Sequence, residues 1–202
     1  MKNICKLFVM LAAFASAGCA GAGKLTPDAA YQPDDAYLLI GVEPAKAEVG
    51  IVDGSIEDGV FTASAAVKIM GGSAWTYFDP PQDGFIIARA PRGKTLLGTN
   101  LVRLNGMGSK LYSPCNHEPK NIVDALARRS TDGSLVFQVE PGKVTYITSV
   151  KYAPDKDDSL VSDFHTDIEG ARAFLKSHYP QLADHLSQGS FQVLPASGCG
   201  LN

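Results

Sequence analysis

The sequence is short of most things that announce a function. It has four cysteines in 202 residues, too few for a miniprotein built on disulfides. It has no excess of positive charge. Its 18 Lys and Arg against 21 Asp and Glu give −3 and a pI near 5.8, which excludes the broad basic surface that nucleic acid requires. It has no apolar run of the roughly 20 residues needed to cross a bilayer. No serine stands in a G-x-S-x-G elbow, and no complete phosphate-binding loop or zinc-protease signature is present. Conversely, 45% apolar residues with 20 Gly and 12 Pro exclude a disordered chain, a collagen and a polytopic membrane protein. The length suits one domain, or two small ones.

What the chain does have begins at its N-terminus. Lys2 and Lys6 precede the apolar run Leu7–Ala17, and small residues follow it. A basic start, a short apolar stretch and small residues make a secretory signal peptide. Two cleavage sites compete. Ala15-Ser16-Ala17 fits an ordinary A-x-A site and a soluble secreted or periplasmic protein. Ser16-Ala17-Gly18-Cys19 resembles a bacterial lipobox, in which the cysteine is acylated and becomes the new N-terminus; it departs from the pattern at Ser16, where an aliphatic residue is usual. We take the lipobox, because a thiol stands where acylation needs one and Ala20-Gly21-Ala22-Gly23 follows as a tether. The resemblance implies, through Ala20, sorting to the outer membrane facing the periplasm. Residues 1–18 are thus read as signal peptide, 19–35 as a lipid-anchored flexible tether punctuated by Pro and Asp, and 36–202 as a single domain. Processing removes Lys2, Lys6 and no acidic residue, taking the net charge from −3 to −5.

Cys5 leaves with the signal peptide, and acylation consumes Cys19. Cys115 and Cys199 remain, in a compartment where disulfides persist, and are expected to pair. The alternative, a metal-binding or catalytic thiol beside His117, lacks visible further ligands.

From Ala36 to about Tyr152 short β-type runs alternate with turn signals such as Asp58-Gly59, Asp83-Gly84 and Asp132-Gly133. This spacing predicts a mostly β domain, an antiparallel β-sandwich or barrel. Two segments look alike: Ile87–Gly98 around Ala90-Pro91-Arg92-Gly93-Lys94, and Phe137–Thr148 around Glu140-Pro141-Gly142-Lys143. Each reads as strand, Pro/Gly turn, Lys, strand, and each is expected to be a hairpin. Near the C-terminus Asp167 can cap a helix through Lys176, with Ile168, Ala171, Phe174 and Leu175 on one face. Pro180 ends it and opens a shorter piece, and Phe191–Leu194 returns as a last strand.

Candidate chemistry is sparse. His117-Glu118 starts an H-E-x-x-H pattern, but Asn121 replaces the second histidine and Pro119 would disturb the helix, so no metal site is assigned. His165 and Asp167 could orient one another, although they sit at a helix start. His178 and His185 read as surface or helix-end residues. Asp155, Asp157, Asp158 and Asp163 lack the glycine and glutamate of a calcium loop and read as a solvated acidic loop. Trp75-Thr76-Tyr77-Phe78 is the densest aromatic cluster; Trp75 and Tyr77 share one strand face and could hold a sugar or peptide, or pack in the core.

The pattern as a whole resembles small uncharacterised bacterial lipoproteins with a β-sandwich domain. The resemblance rests on Cys19 behind its signal peptide, on Phe137–Ile147, and on the helical ending Ala171–Pro180. It implies an envelope location and supplies no catalytic residues and no cofactor. The leading expectation is therefore a non-enzymatic binding or structural module of the cell envelope. The membrane is its partner through lipid on Cys19, and an envelope protein or peptidoglycan is a further one. The alternatives are an envelope hydrolase using His117 or His165, and a small-ligand binder using Trp75 and Tyr77.

Overall fold

A computed structural model describes residues 23–64, 81–104, 110–115, 127–129, 133–157 and 159–198. The strands are β1 (Gly23–Lys24), β2 (Tyr37–Glu43), β3 (Ala47–Glu57), β4 (Val60–Ala63), β5 (Phe85–Arg89), β6 (Leu96–Leu104) and β7 (Lys110–Ser113). They continue with β8 (Ala127–Arg129), β9 (Ser134–Gln138), β10 (Val144–Pro154), β11 (Leu160–His165), β12 (Leu186–Gln188), β13 (Phe191–Leu194) and β14 (Ala196–Ser197). One helix, α1 (Ile168–His178), and a 3₁₀ helix (Pro180–His185) lie near the C-terminus. The mostly β fold with short helices near the C-terminus is as expected. Among the described residues no helix is long and apolar enough to cross a membrane.

The strands form two sheets. The first has the order β1-β5-β2-β10-β11, with β12 also on β10; the second runs β13-β9-β6-β3-β4-β14, with β7 on β6 and β8 on β7. Pairing is largely antiparallel, but β2 and β12 both run parallel to β10. Alternation along each strand sorts its side chains. Leu38, Ile40 and Val42 of β2 enter the core between the sheets, with Ile86 and Ala88 of β5, Val49 and Ile51 of β3, and Phe137 of β9. Tyr37 and Leu39 of β2 point the other way, into a second core closed by Ala171, Phe174 and Leu175 of α1 and by Leu182. Burial on both faces explains why Tyr37–Val42 is an unbroken apolar run rather than an alternating one.

Helix α1 follows its local signals. Asp167 accepts a hydrogen bond from the Gly170 amide at 2.9 Å and caps the N-terminus. Glu169 lies in the first turn and Lys176 and His178 in the last, each complementing the helix dipole.

The C-terminal segment closes the second sheet on itself. β13 pairs with β9 at one edge, and β14, one residue further on, pairs with β4 at the other. Phe61 is fully buried inside this small barrel with Val52, Cys115, Val136 and Ala196. Its ring lies so close to the backbone that a Cβ on Gly98 would sit 2.6 Å from it and 2.9 Å from Ser134 Oγ. Gly98→Ala should therefore destabilise the domain by about 1–3 kcal/mol. A urea midpoint unmoved by this substitution would show that the ring can step aside.

Two expectations change. The look-alike segments are not hairpins. β5 lies in the first sheet and β6 in the second, while β9 lies in the second and β10 in the first, so both Pro/Gly turns carry the chain across the sandwich. The turn residues behave as read, with Gly93 and Gly142 at φ of 77° and 74°. What local sequence leaves open is which sheet the next strand joins. The second change concerns the tether. From Gly23 onward the chain is not a free linker but a strap. β1 pairs with β5, Leu25 is 3% exposed in the second core, and Ala29 and Tyr31 pack beside it. Three well-placed apolar side chains outweigh the Pro/Asp composition that suggested a linker.

Candidate functional site

The strap and the two turns meet at one end of the sandwich, and there the charged and aromatic side chains gather. The turns touch each other, since the Val139 amide donates to the Thr95 carbonyl at 2.9 Å. Between them they grip the end of the strap. The Ala90 amide donates to the Ala36 carbonyl and the Gly142 amide to the Asp35 carbonyl, each at 2.9 Å.

Asp35 is the centre of this arrangement. It is only 4% exposed and faces two guanidinium groups, with Arg89 Nε 2.9 Å from Oδ2 and Arg92 Nη2 3.5 Å from Oδ1. Arg89 is 18% exposed and lies over the Tyr37 ring, 5.8 Å from its centroid, whereas Arg92 is 75% exposed. Although close, the Arg89 N–H is not aimed at the carboxylate, so neither Arg89 Nε nor Asp35 Oδ2 has an aligned hydrogen bond. The attraction is charge on charge, strengthened by burial and by the ring face.

Aromatic contacts continue the cluster. Tyr31 donates through its hydroxyl to the Gly142 carbonyl and stacks on His185, centroids 3.7 Å apart and planes 4° from parallel. The Tyr37 hydroxyl accepts from the Gln32 amide at 2.9 Å. Further along, Tyr179 donates to the Leu25 carbonyl and Gln181 to those of Pro27 and Ala29. Within the strap, a hydrogen bond with the Thr26 side chain, then one to its own backbone amide, holds the Asp28 carboxyl below the usual carboxylate range. These contacts lock the strap to the domain.

The sequence candidates fall out differently. Cys19, Trp75, Tyr77, His117 and Cys199 lie outside the described residues. His165 ends β11, exposed, and its carbonyl accepts from the Thr148 hydroxyl at 3.0 Å. Asp167, its possible partner, is engaged as the cap of α1, while its amide donates to the buried Tyr146 hydroxyl at 2.8 Å. The Asp167 side chain thus serves the fold, whereas His165 contributes its backbone carbonyl. His178 Nε2 lies 2.8 Å from Asp83 Oδ2 and Nδ1 lies 2.9 Å from Gln82 Nε2, tying α1 to the turn before β5. In the acidic loop Asp155 accepts the amides of Asp157 and Ser159 and shapes the β10–β11 turn. Among the described residues no group of three His, Cys, Asp or Glu is placed to hold a metal.

Cys115 is 5% exposed and bridges Ala196 beside β14. Between the sheets, a cavity lined by Thr99, Tyr112, Leu135, Tyr152, Ser162 and Phe164 has about 10 Å³ of free space, enough for a single water.

Asp35, Arg89 and Tyr31 escape the sequence reading, while His185, read as a helix-end residue, does end the 3₁₀ helix, and only its stacking on Tyr31 goes unforeseen. A lone arginine inside the apolar run Phe85–Ala90 is the one local signal, because a charge in a half-buried strand needs a partner. Nothing local says that the partner comes from the strap. No protein-family model, curated protein or solved structure matches the chain.

Proposed function

We propose that the protein is a lipid-anchored component of the bacterial cell envelope, acting as a non-enzymatic binding or structural module held to the outer membrane through Cys19. The observation that carries this reading is the lipobox-like Ser16-Ala17-Gly18-Cys19 standing just ahead of a folded domain whose first strand opens at Gly23. The polar side chains of the best-defined cluster support a structural role. Asp35, Arg89 and Tyr31 fasten the strap and the turns to one another, as Asp167 and Tyr146 fasten α1. The partner beyond the membrane is an envelope protein or peptidoglycan.

The test is the mass of the mature protein taken from its native membrane, followed by crosslinking in intact cells. The expected chain lacks residues 1–18 and carries a diacylglyceryl or triacyl group on Cys19, and Cys19→Ser moves it to the soluble fraction. Crosslinking should return one reproducible envelope protein or a peptidoglycan fragment. An unmodified chain beginning at Gly18 overturns the anchor, and turnover of an envelope ester or amide by the purified protein overturns the non-enzymatic role.

A further inference from the structure

We propose that the sandwich end built from the Ala90–Thr95 and Val139–Lys143 turns rests against the phospholipid headgroups of the membrane, an inference that depends on the lipid anchor at Cys19. The first argument is length. A free linker from Cys19 to Ala36 would reach about 60 Å, at roughly 3.5 Å per extended residue. The strap removes most of that reach. The chain is already paired at Gly23, so only four residue steps separate the lipid from the sheet, at most about 14 Å.

The second argument is direction. β1 is antiparallel to β5, with Gly23 opposite Arg89 and Lys24 opposite Ala88. Followed backward from Gly23, the chain leaves the sheet past Arg89, at the end where β5 runs into the Ala90–Thr95 turn. The Val139–Lys143 turn is bonded to that turn and shares the same end. The opposite end, where Asp155–Ser159 joins β10 to β11, lies a full length of β10 away. That strand has 11 residues and spans about 33 Å at 3.3 Å per residue. A tether of about 14 Å holds the turn end within that distance of the bilayer and leaves the other end free to stand up to about 33 Å further out.

The third argument is that the strap cannot pay out. Releasing it would expose Leu25, break the Tyr179 and Gln181 hydrogen bonds to its backbone, and strip Asp35 from Arg89. Charge is not what draws this end to the lipid. Arg89 and Arg92 share Asp35, Lys94 pairs with Asp53, and Lys143 with Glu140. Contact is imposed by the tether and is insensitive to salt. Arg92, Lys94 and Lys143, 75%, 50% and 48% exposed, have stems long enough to reach among headgroups.

The experiment uses the full chain, expressed in a host that processes lipoproteins, with a benzophenone amino acid placed at Arg92 or at Lys156. Both positions are exposed, and neither requires a new cysteine. Illumination of native membranes should give about tenfold more phospholipid adduct at position 92 than at 156, given the ~33 Å between the two ends. High salt should leave that ratio unchanged. Inserting about twelve Gly/Ser residues between Ala22 and Gly23, roughly 20 Å of added reach, should bring position 92 down to the level of position 156. The mass of the same samples reports acylation. An acylated chain with equal adducts at the two positions, or one indifferent to the insertion, overturns the proposal while the anchored reading stands. A chain without the acyl group overturns both.

Discussion

Asp35→Ala should destabilise the domain by about 3–5 kcal/mol, the effect of removing one partner from a buried ion pair. The carboxylate is 4% exposed, and the Arg89 guanidinium it faces is 18% exposed, so the arginine would keep its charge with little water to solvate it. Arg92 could not take over, because it is itself a cation. Arg92→Ala is the internal control. At 75% exposure its contact with Asp35 is largely screened, and its loss should cost less than about 1 kcal/mol. Replacing both members, as Asp35→Leu with Arg89→Met, should recover most of the loss, because the penalty lies in the orphaned charge rather than in the missing attraction. Urea unfolding with an unchanged slope measures all three variants. Amide exchange should quicken over Leu25–Tyr31 in Asp35→Ala before it quickens in β3 or β6, since the strap is what the pair fastens. If Asp35→Ala shifts stability by no more than Arg92→Ala does, the site is not the fastening described here.

How far the sequence foretells this molecule can be followed residue by residue. Asp167, Glu169 and the spacing Ala171, Phe174, Leu175 specify α1 through interactions a few residues apart, and the helix forms where expected. Pro180 and the strand Phe191–Leu194 are equally local. The Pro91–Gly93 and Pro141–Gly142 turns are read correctly as turns and wrongly as hairpins. φ preferences fix the bend, but the partner of the next strand is fixed by distant side chains. Leu97 and Phe137 meet across β6 and β9 only after the first turn has carried the chain into the second sheet and before the second turn carries it out. The parallel match of β2 with β10 has the same character, because it joins the start of the domain to its last third. The strap is the sharpest case. Its Pro27, Asp28, Pro33 and Asp34 are loop residues by any local measure, yet Leu25, Tyr31 and Asp35 between them find a helix, a turn and a strand. The Asp35–Arg89 pair was beyond reach for that reason, and with it the shortness of the tether.

Cys199→Ala should remove about 4–5 kcal/mol of stability, the loop-closure contribution of a crosslink spanning the residues from 115 to 199. This rests on the proposal that Cys115 is bonded to Cys199. Cys115 is buried, only 5% exposed. It sits in the barrel core with Ala196 as its bridge partner, and Cys199 follows three residues later. Between them Gly198 adopts φ of 73°, a left-handed step that turns the chain as it leaves β14. A bond at this point would pin the segment that closes the barrel. β14 has only two residues, paired with Phe61 and Thr62, and so short a strand is a weak latch by itself. Mutating Cys199 rather than Cys115 keeps the packing of the buried cysteine and isolates the crosslink. The unreduced wild-type chain, acylated at Cys19, should show no free thiol when denatured, and Cys199→Ala should show one. Reduction should lower the wild type to the level of the variant and leave the variant unchanged. Exchange should rise first in β13, β14 and β4, where the barrel would open. Two free thiols in the unreduced wild type, or a variant as stable as its parent, would remove the crosslink and leave barrel closure to Phe61 and the pairing of β13 with β9.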